Sequence, residues 1–184
     1  MNHHSLFKSD LWGFIIVSIA GSALHFIYPI SGGSALAGLI CPVNESVWEH
    51  LKLLFFPCLA YTVWQYFAIG QSFGAFLWGR CCSLVMGMLM IIMLYYTYTG
   101  SIGRGFLFVD IGLFFAASAL TFALSHFITR SFPTPTKTET VLWLTVVALW
   151  GISLFIFTFR PPHIPLFRDP LSGRYGIIDT YDIK

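Results

Sequence analysis

Between Pro42 and Lys52 the chain reads Pro-Val-Asn-Glu-Ser-Val-Trp-Glu-His-Leu-Lys, so that Glu45, Glu49, His50 and Lys52 bring two carboxylates, an imidazole and an ammonium into one short stretch. Carboxylates at four-residue spacing can supply oxygen ligands or a general base, and imidazoles from elsewhere can complete a metal site. The candidate catalytic groups are therefore Glu45 and Glu49. His25, His50, Asp110 and His163 are the candidate ligands of a divalent metal such as zinc, whose chemistry would be activation of water. The spacing lacks the specificity of a His-Glu-x-x-His helix. A second account of the same residues needs no chemistry: Glu49 and Lys52 neutralise each other while Glu45 complements a helix dipole. Ser46 beside His50 reads as a helix cap before it reads as a nucleophile.

These charges stand in an apolar chain. Hydrophobic residues make up 57% of it, charged residues only 10%, and the mean hydropathy is +0.76; a soluble domain carries about twice that share of charge. Stretches of about 20 apolar residues, enough to cross the hydrocarbon layer, recur along the sequence. They predict spans over Leu11–Ile30, a helix from the motif to Ile69, then Phe76–Tyr98, Gly105–Ile128 and Val141–Phe159. The expected fold is all-α: a polytopic bundle of five transmembrane helices over residues 1–160, and a proline-rich tail over 161–184 that folds back on it. A secretory signal fits the N-terminus poorly, because Lys8 is offset by Asp10 and the apolar stretch continues past Gly21, Ser22 and Ala23. A net charge of +2 with no basic cluster among aromatics argues against nucleic acid. The implied partners are membrane lipids, with a lipid-like or small-solute ligand.

Helix grammar places the candidate residues. Residues 31–41 are too short and glycine-rich for a span and predict a loop or short re-entrant piece. Asn44 is a good N-cap, which would put Glu45 in the first turn and place Glu45, Glu49 and Lys52 on one face, with Ser46 and His50 on another. Pro57 predicts a kink. Arg80, near the start of its span, is expected to snorkel to the headgroups. Tyr95, Tyr96 and Tyr98 read as an interfacial aromatic belt before Gly100. Pro133 and Pro135 mark a polar loop. In the tail, Arg168 and Asp169 read as structural or lid residues, as do Asn44, Ser46, Lys52 and Tyr98 nearer the motif. Cys41, Cys58, Cys81 and Cys82 form no Cys-x-x-Cys pattern.

An odd number of spans sorts the polar groups. The N-terminus, Arg80, His126, Arg130 and Lys137 fall on one side; His25, the motif, the tyrosine cluster, Arg104, Asp110 and the tail fall on the other. The basic residues of the short loops favour a cytoplasmic N-terminus and an external motif.

The run from Pro42 to Leu53, the Tyr96-Thr97-Tyr98-Thr99-Gly100 exit and the tail from Pro162 to Pro170 resemble an uncharacterised family of small bacterial multi-pass membrane proteins. That resemblance covers nearly the whole chain and implies a bacterial cell membrane, with no assigned activity. A weaker likeness is to the membrane hydrolases related to alkaline ceramidase, which use a Ser, an Asp and three His around zinc. Ser22, His25, His50, Asp110 and His163 supply those residue types, although the paired-histidine helix motif and the seven spans of that family are absent from the sequence. Metal-assisted hydrolysis of a lipid or amphiphile is the leading expectation. Ion or small-solute passage, lined by Glu45, Glu49, Lys52 and Asp110, and a non-catalytic membrane subunit are the alternatives.

Overall fold

In a computed structural model, residues 3–69 and 73–177 are described. They form six α-helices: α1 (His3–Ile30), α2 (Ala35–Ile40), α3 (Val47–Ile69), α4 (Phe73–Ile102), α5 (Leu107–Ser131) and α6 (Lys137–Phe159). A single 3-10 turn at Pro165–Phe167 follows, and there is no strand among the described residues. Four helices, over Leu6–Ile30, Gly74–Ile102, Leu107–Ser131 and Lys137–Phe159, are long and apolar enough to cross a membrane. The fifth long helix, α3, is set apart by the Glu49, His50, Lys52 and Gln65 it carries.

Polar contacts fix the helix directions. Asp10 near the start of α1 meets Gln65 near the end of α3 and Arg80 near the start of α4, and it also meets His126 near the end of α5. At the other end, Glu45, just before α3, joins His25 of α1 to His50 of α3, while Lys52 of α3 meets Thr158 near the end of α6. The long helices therefore alternate in direction, and α3 packs against α1, α4, α6 and the 3-10 turn.

Close approach in this bundle depends on small residues. Pro57 lies within α3 and has no N–H, which removes the helical donor that Leu53 O would otherwise accept from. Gly21 of α1 packs directly over that carbonyl, where any Cβ would collide with it. A Cα–H contact can serve the orphaned oxygen in place of the missing amide. Gly87 of α4 is closed in similarly by Thr121 and Ala117 O of α5.

The connection from α1 to α3 needs two left-handed residues, Gly32 (φ +70°) and Gly33 (φ +77°). It then forms the short helix α2, where the sequence led us to expect a loop or re-entrant piece. The start of α3 differs from its expected position. Asn44 Oδ1 accepts from Ser46 N at 2.9 Å, and Ser46 Oγ accepts from Glu49 N at 3.4 Å, so the cap is Ser46 and the helix starts at Val47. The reason lies in the tail, because Asn44 Nδ2 donates to Gly176 O at 2.7 Å and holds Asn44 in the turn that precedes the helix. Glu45 is thereby outside α3, and its expected alignment with Glu49 and Lys52 does not form.

The tail returns to the bundle through Phe167, which is buried against Trp48 and Phe157 at ring separations of 4.8 and 5.2 Å. Asp169 Oδ1 accepts from Leu171 N at 2.7 Å, and Arg168 Nε donates to Gly173 O at 3.2 Å. The two side chains thus hold separate parts of one turn.

Arg80 corrects another expectation. Its side chain does not snorkel: it is 1% exposed, with its guanidinium carbon 4.2 Å from the Phe122 ring centroid. Arg80 Nη2 donates to Asp10 Oδ1 at 2.8 Å and to Gln65 Oε1 at 2.7 Å. A carboxylate, an amide and an aromatic face inside the bundle hold the charge in place of the headgroups.

Candidate metal centre

Three segments converge where α1 ends and α3 begins. α1 contributes His25, the turn before α3 contributes Glu45, and the first turn of α3 contributes His50. One ligand atom from each of the three lies within 4.8 Å of the others. His25 Nε2 is 3.7 Å from Glu45 Oε1, and His50 Nε2 is 3.4 Å from Glu45 Oε2. The carboxylate therefore sits between two imidazoles, whose rings are 5.3 Å apart. All three side chains are about one third to two fifths exposed, so the centre is open on one side.

The second partner of His50 decides its chemistry. His50 Nδ1 lies 2.9 Å from Ser46 O, and a carbonyl can only accept, so Nδ1 carries the proton. Nε2 then faces a carboxylate with a lone pair unless a second proton or another cation is present. An Nδ1–H anchored on a backbone carbonyl is the arrangement that orients a metal-binding histidine. The neighbouring His50 imidazole, more than His25, holds the Glu45 carboxyl below the usual carboxylate range, outweighing the opposing effect of burial. Two imidazole nitrogens and one carboxylate form the ligand set of a catalytic zinc site with an open fourth position.

The other candidate residues are placed elsewhere. Glu49 and Lys52 form a closed, buried pair. Lys52 Nζ donates to Glu49 Oε2 at 2.6 Å, Thr158 Oγ1 at 2.6 Å and Gly38 O at 2.7 Å, and Cys41 O lies at 3.4 Å. Glu49 Oε2 also accepts from Val43 N at 3.0 Å, and Thr158 Oγ1 lies 3.2 Å from Glu49 Oε1. Lys52 is 0% exposed and Glu49 2%. With every ammonium hydrogen used, the pair links α3 to α2, to the segment that follows α2 and to α6. Nearby Cys41 is buried, and burial pushes its thiol up, away from the thiolate form a metal requires.

Asp110 accepts a hydrogen bond from Tyr98, joining α5 to α4 rather than entering the three-residue cluster. Tyr98 Oη in turn accepts from Phe106 N at 3.1 Å, fixing the turn between those helices. His163 stacks edge-on against Tyr175 at 4.7 Å within the tail. Sequence reasoning missed Gln65 and Thr158, and it assigned Asp10 only to offsetting Lys8. The available signal was an aspartate, a glutamine and an arginine each within about two turns of a predicted helix end.

A model of a protein family of unknown function, DUF6512, matches residues 1–177. No curated protein and no solved structure matches the chain.

Proposed function

The chain belongs to DUF6512, a family of unknown function, and we propose that it is a membrane metalloprotein that uses His25, Glu45 and His50 to bind a divalent ion such as zinc. The proposed activity is hydrolysis of an ester or amide bond in a lipid or other amphiphile. The supporting observation is the convergence of three ligand atoms within 4.8 Å from three separate segments, with the Nδ1 of His50 anchored so that Nε2 points at Glu45. In this scheme Glu45 would hold the ion together with His25 and His50, and the chemistry the ion would supply is activation of water. The half-exposed position at the end of four apolar helices suits a substrate that approaches along the membrane interface.

In the same reading α3 is a fifth membrane crossing, because it packs antiparallel to α1 and its ends reach the polar groups at both ends of the bundle. The N-terminus faces the cytoplasm of a bacterial cell and the candidate centre faces outward. A C-terminal tag accessible only from the cytoplasm would overturn this orientation.

Elemental analysis of the purified full chain tests the central claim. We expect one equivalent of metal, lost in both His25→Ala and His50→Ala while helical content is retained, together with metal-dependent release of fatty acid from phospholipid or ceramide probes. A metal-free wild type that stays metal-free after incubation with zinc sinks the proposal. A second reading, ion passage, is favoured by the buried Asp10–Arg80 pair at the opposite end. It predicts ion flux in proteoliposomes that is altered by Asp10→Asn, and a lack of flux for protons and common monovalent ions counts against it.

A further inference from the structure

Two residues compete to cap the start of α3. Asn44 and Ser46 are both of the types that accept from the N–H groups of a first turn, and they stand on either side of Glu45. Ser46 holds the position, since its Oγ accepts from Glu49 N at 3.4 Å and its carbonyl accepts from His50 N at 3.2 Å. Asn44 Oδ1 accepts from Ser46 N at 2.9 Å, a bond that an N-cap at Asn44 would also make. What sets Asn44 apart is its other end: Nδ2 donates to Gly176 O at 2.7 Å and ties it to the tail. Both flanking residues are buried, while the Glu45 side chain between them is exposed.

The register of α3 decides where that carboxylate points. With the helix starting at Val47, Glu45 lies outside it, with Oε2 3.4 Å from His50 Nε2 and Oε1 3.7 Å from His25 Nε2. With Asn44 as the cap, Glu45 would enter the first turn. Five residues at about 100° each would then carry its side chain about 140° round the axis from His50, away from both imidazoles. The tail that prevents this is itself fixed. Gly176 is buried with φ +70°, and a Cβ there would lie 3.3 Å from Pro161 Cδ and 3.4 Å from Thr158 O. Phe167 of the same tail packs on Trp48, so the tail meets this region on both sides of the helix start.

We propose that the tail, through the bond between Asn44 and Gly176, positions Glu45 as a metal ligand. The docked tail holds α3 in the register that starts at Val47; a tail that lets go of Asn44 frees it to cap, and the carboxylate is withdrawn from the two imidazoles. The inference rests on the metal reading of His25, Glu45 and His50, and it adds control of that centre by a segment whose described residues supply none of the three ligand atoms. Asn44 and Gly176 are positioning residues that act through Glu45. They are 132 residues apart, so the centre assembles only when the far end of the described chain has docked.

The test is the zinc affinity of the purified full chain, measured by competition with a chromogenic chelator. Asn44→Ser removes the Nδ2 donor but keeps a capping hydroxyl, so the tail link is lost while the alternative cap is retained. It should weaken zinc binding by about tenfold or more, the usual loss when the support behind a metal ligand is removed. In a Glu45→Gln background the same change should move the residual affinity by no more than about twofold, because Asn44 acts through Glu45. Gly176→Ala, strained at its positive φ, should weaken binding in the same direction, and it decides if Asn44→Ser does not fold. Equal zinc affinity in wild type and the deciding variant overturns this inference and leaves metal binding standing. An equal loss in both backgrounds, the mark of general loosening, also overturns it. A wild type that binds no zinc overturns the metal reading and this inference with it.

Discussion

Glu45 and Glu49 stand four residues apart, yet one is at an open rim and the other at the closed centre of a buried pair. Around Glu49 the strong donors have partners: three hydrogens of Lys52, the Val43 amide on Glu49 Oε2, and the Thr158 hydroxyl, which accepts from Lys52 and shares its one hydrogen between Leu154 O and Glu49 Oε1. Around Glu45, two imidazoles meet a carboxylate at 3.4 and 3.7 Å, distances longer than good hydrogen bonds, and solvent reaches all three. The closed group holds the structure together. The open one retains lone pairs that a cation can use, so charge density along the motif does not by itself distinguish structure from chemistry.

The sharpest way to break this contrast is Lys52→Ala. It strands Glu49 without its cation, and removing one partner of a buried pair costs about 3 to 5 kcal/mol. Thermal unfolding in detergent should show a large loss, whereas Glu45→Gln should leave the midpoint nearly unchanged; equal losses would dissolve the distinction. Thr158→Val comes next, since it removes one hydroxyl that serves both members of the pair, at a cost of about 1 to 3 kcal/mol. At the rim, His50→Ala should abolish metal binding measured by calorimetry while moving stability little, the reverse of Lys52→Ala. Metal uptake there should also release protons and weaken in acid, as imidazoles protonate in competition with the ion.

The smallest effect concerns acid stability. The Glu45 carboxyl sits below its ordinary value because of the neighbouring His50 imidazole, so its contribution is fully present above the unfolded value of about 4.3 and is lost as pH falls through the lower folded value. Wild type should therefore lose a small increment of stability below about pH 4 that Glu45→Gln does not lose. Chemical denaturation at pH 6 and at pH 3 compares the two, and identical pH dependence would show that the His50 contact is not maintained in solution.

Much of the architecture is legible in the chain itself. Apolar stretches of span length, glycines at close crossings and prolines in the connections specify an all-helical bundle, because hydrocarbon tolerates only a backbone that satisfies its own hydrogen bonds. α3 starts about half a turn later than the N-cap residue Asn44 predicts, because Asn44 is engaged by Gly176, 132 residues away. Arg80 was assigned to headgroups for a similar reason: nothing near it in sequence shows that Asp10 and Gln65 lie within hydrogen-bond reach.

What the sequence determines alone is local: which stretches are apolar enough to form buried helices, where they can turn, and which residue types are available for metal or proton chemistry. Which of those residues meet was decided by the tertiary structure. It joined the local Glu49–Lys52 pair to Thr158, drew His25 and His50 to Glu45, and tied Asp10 to Arg80, Gln65 and His126. The physical reason is that a charge inside an apolar bundle must find its compensation within about 3 Å. The groups close enough to provide it come mostly from other helices, brought there by the packing of the whole chain.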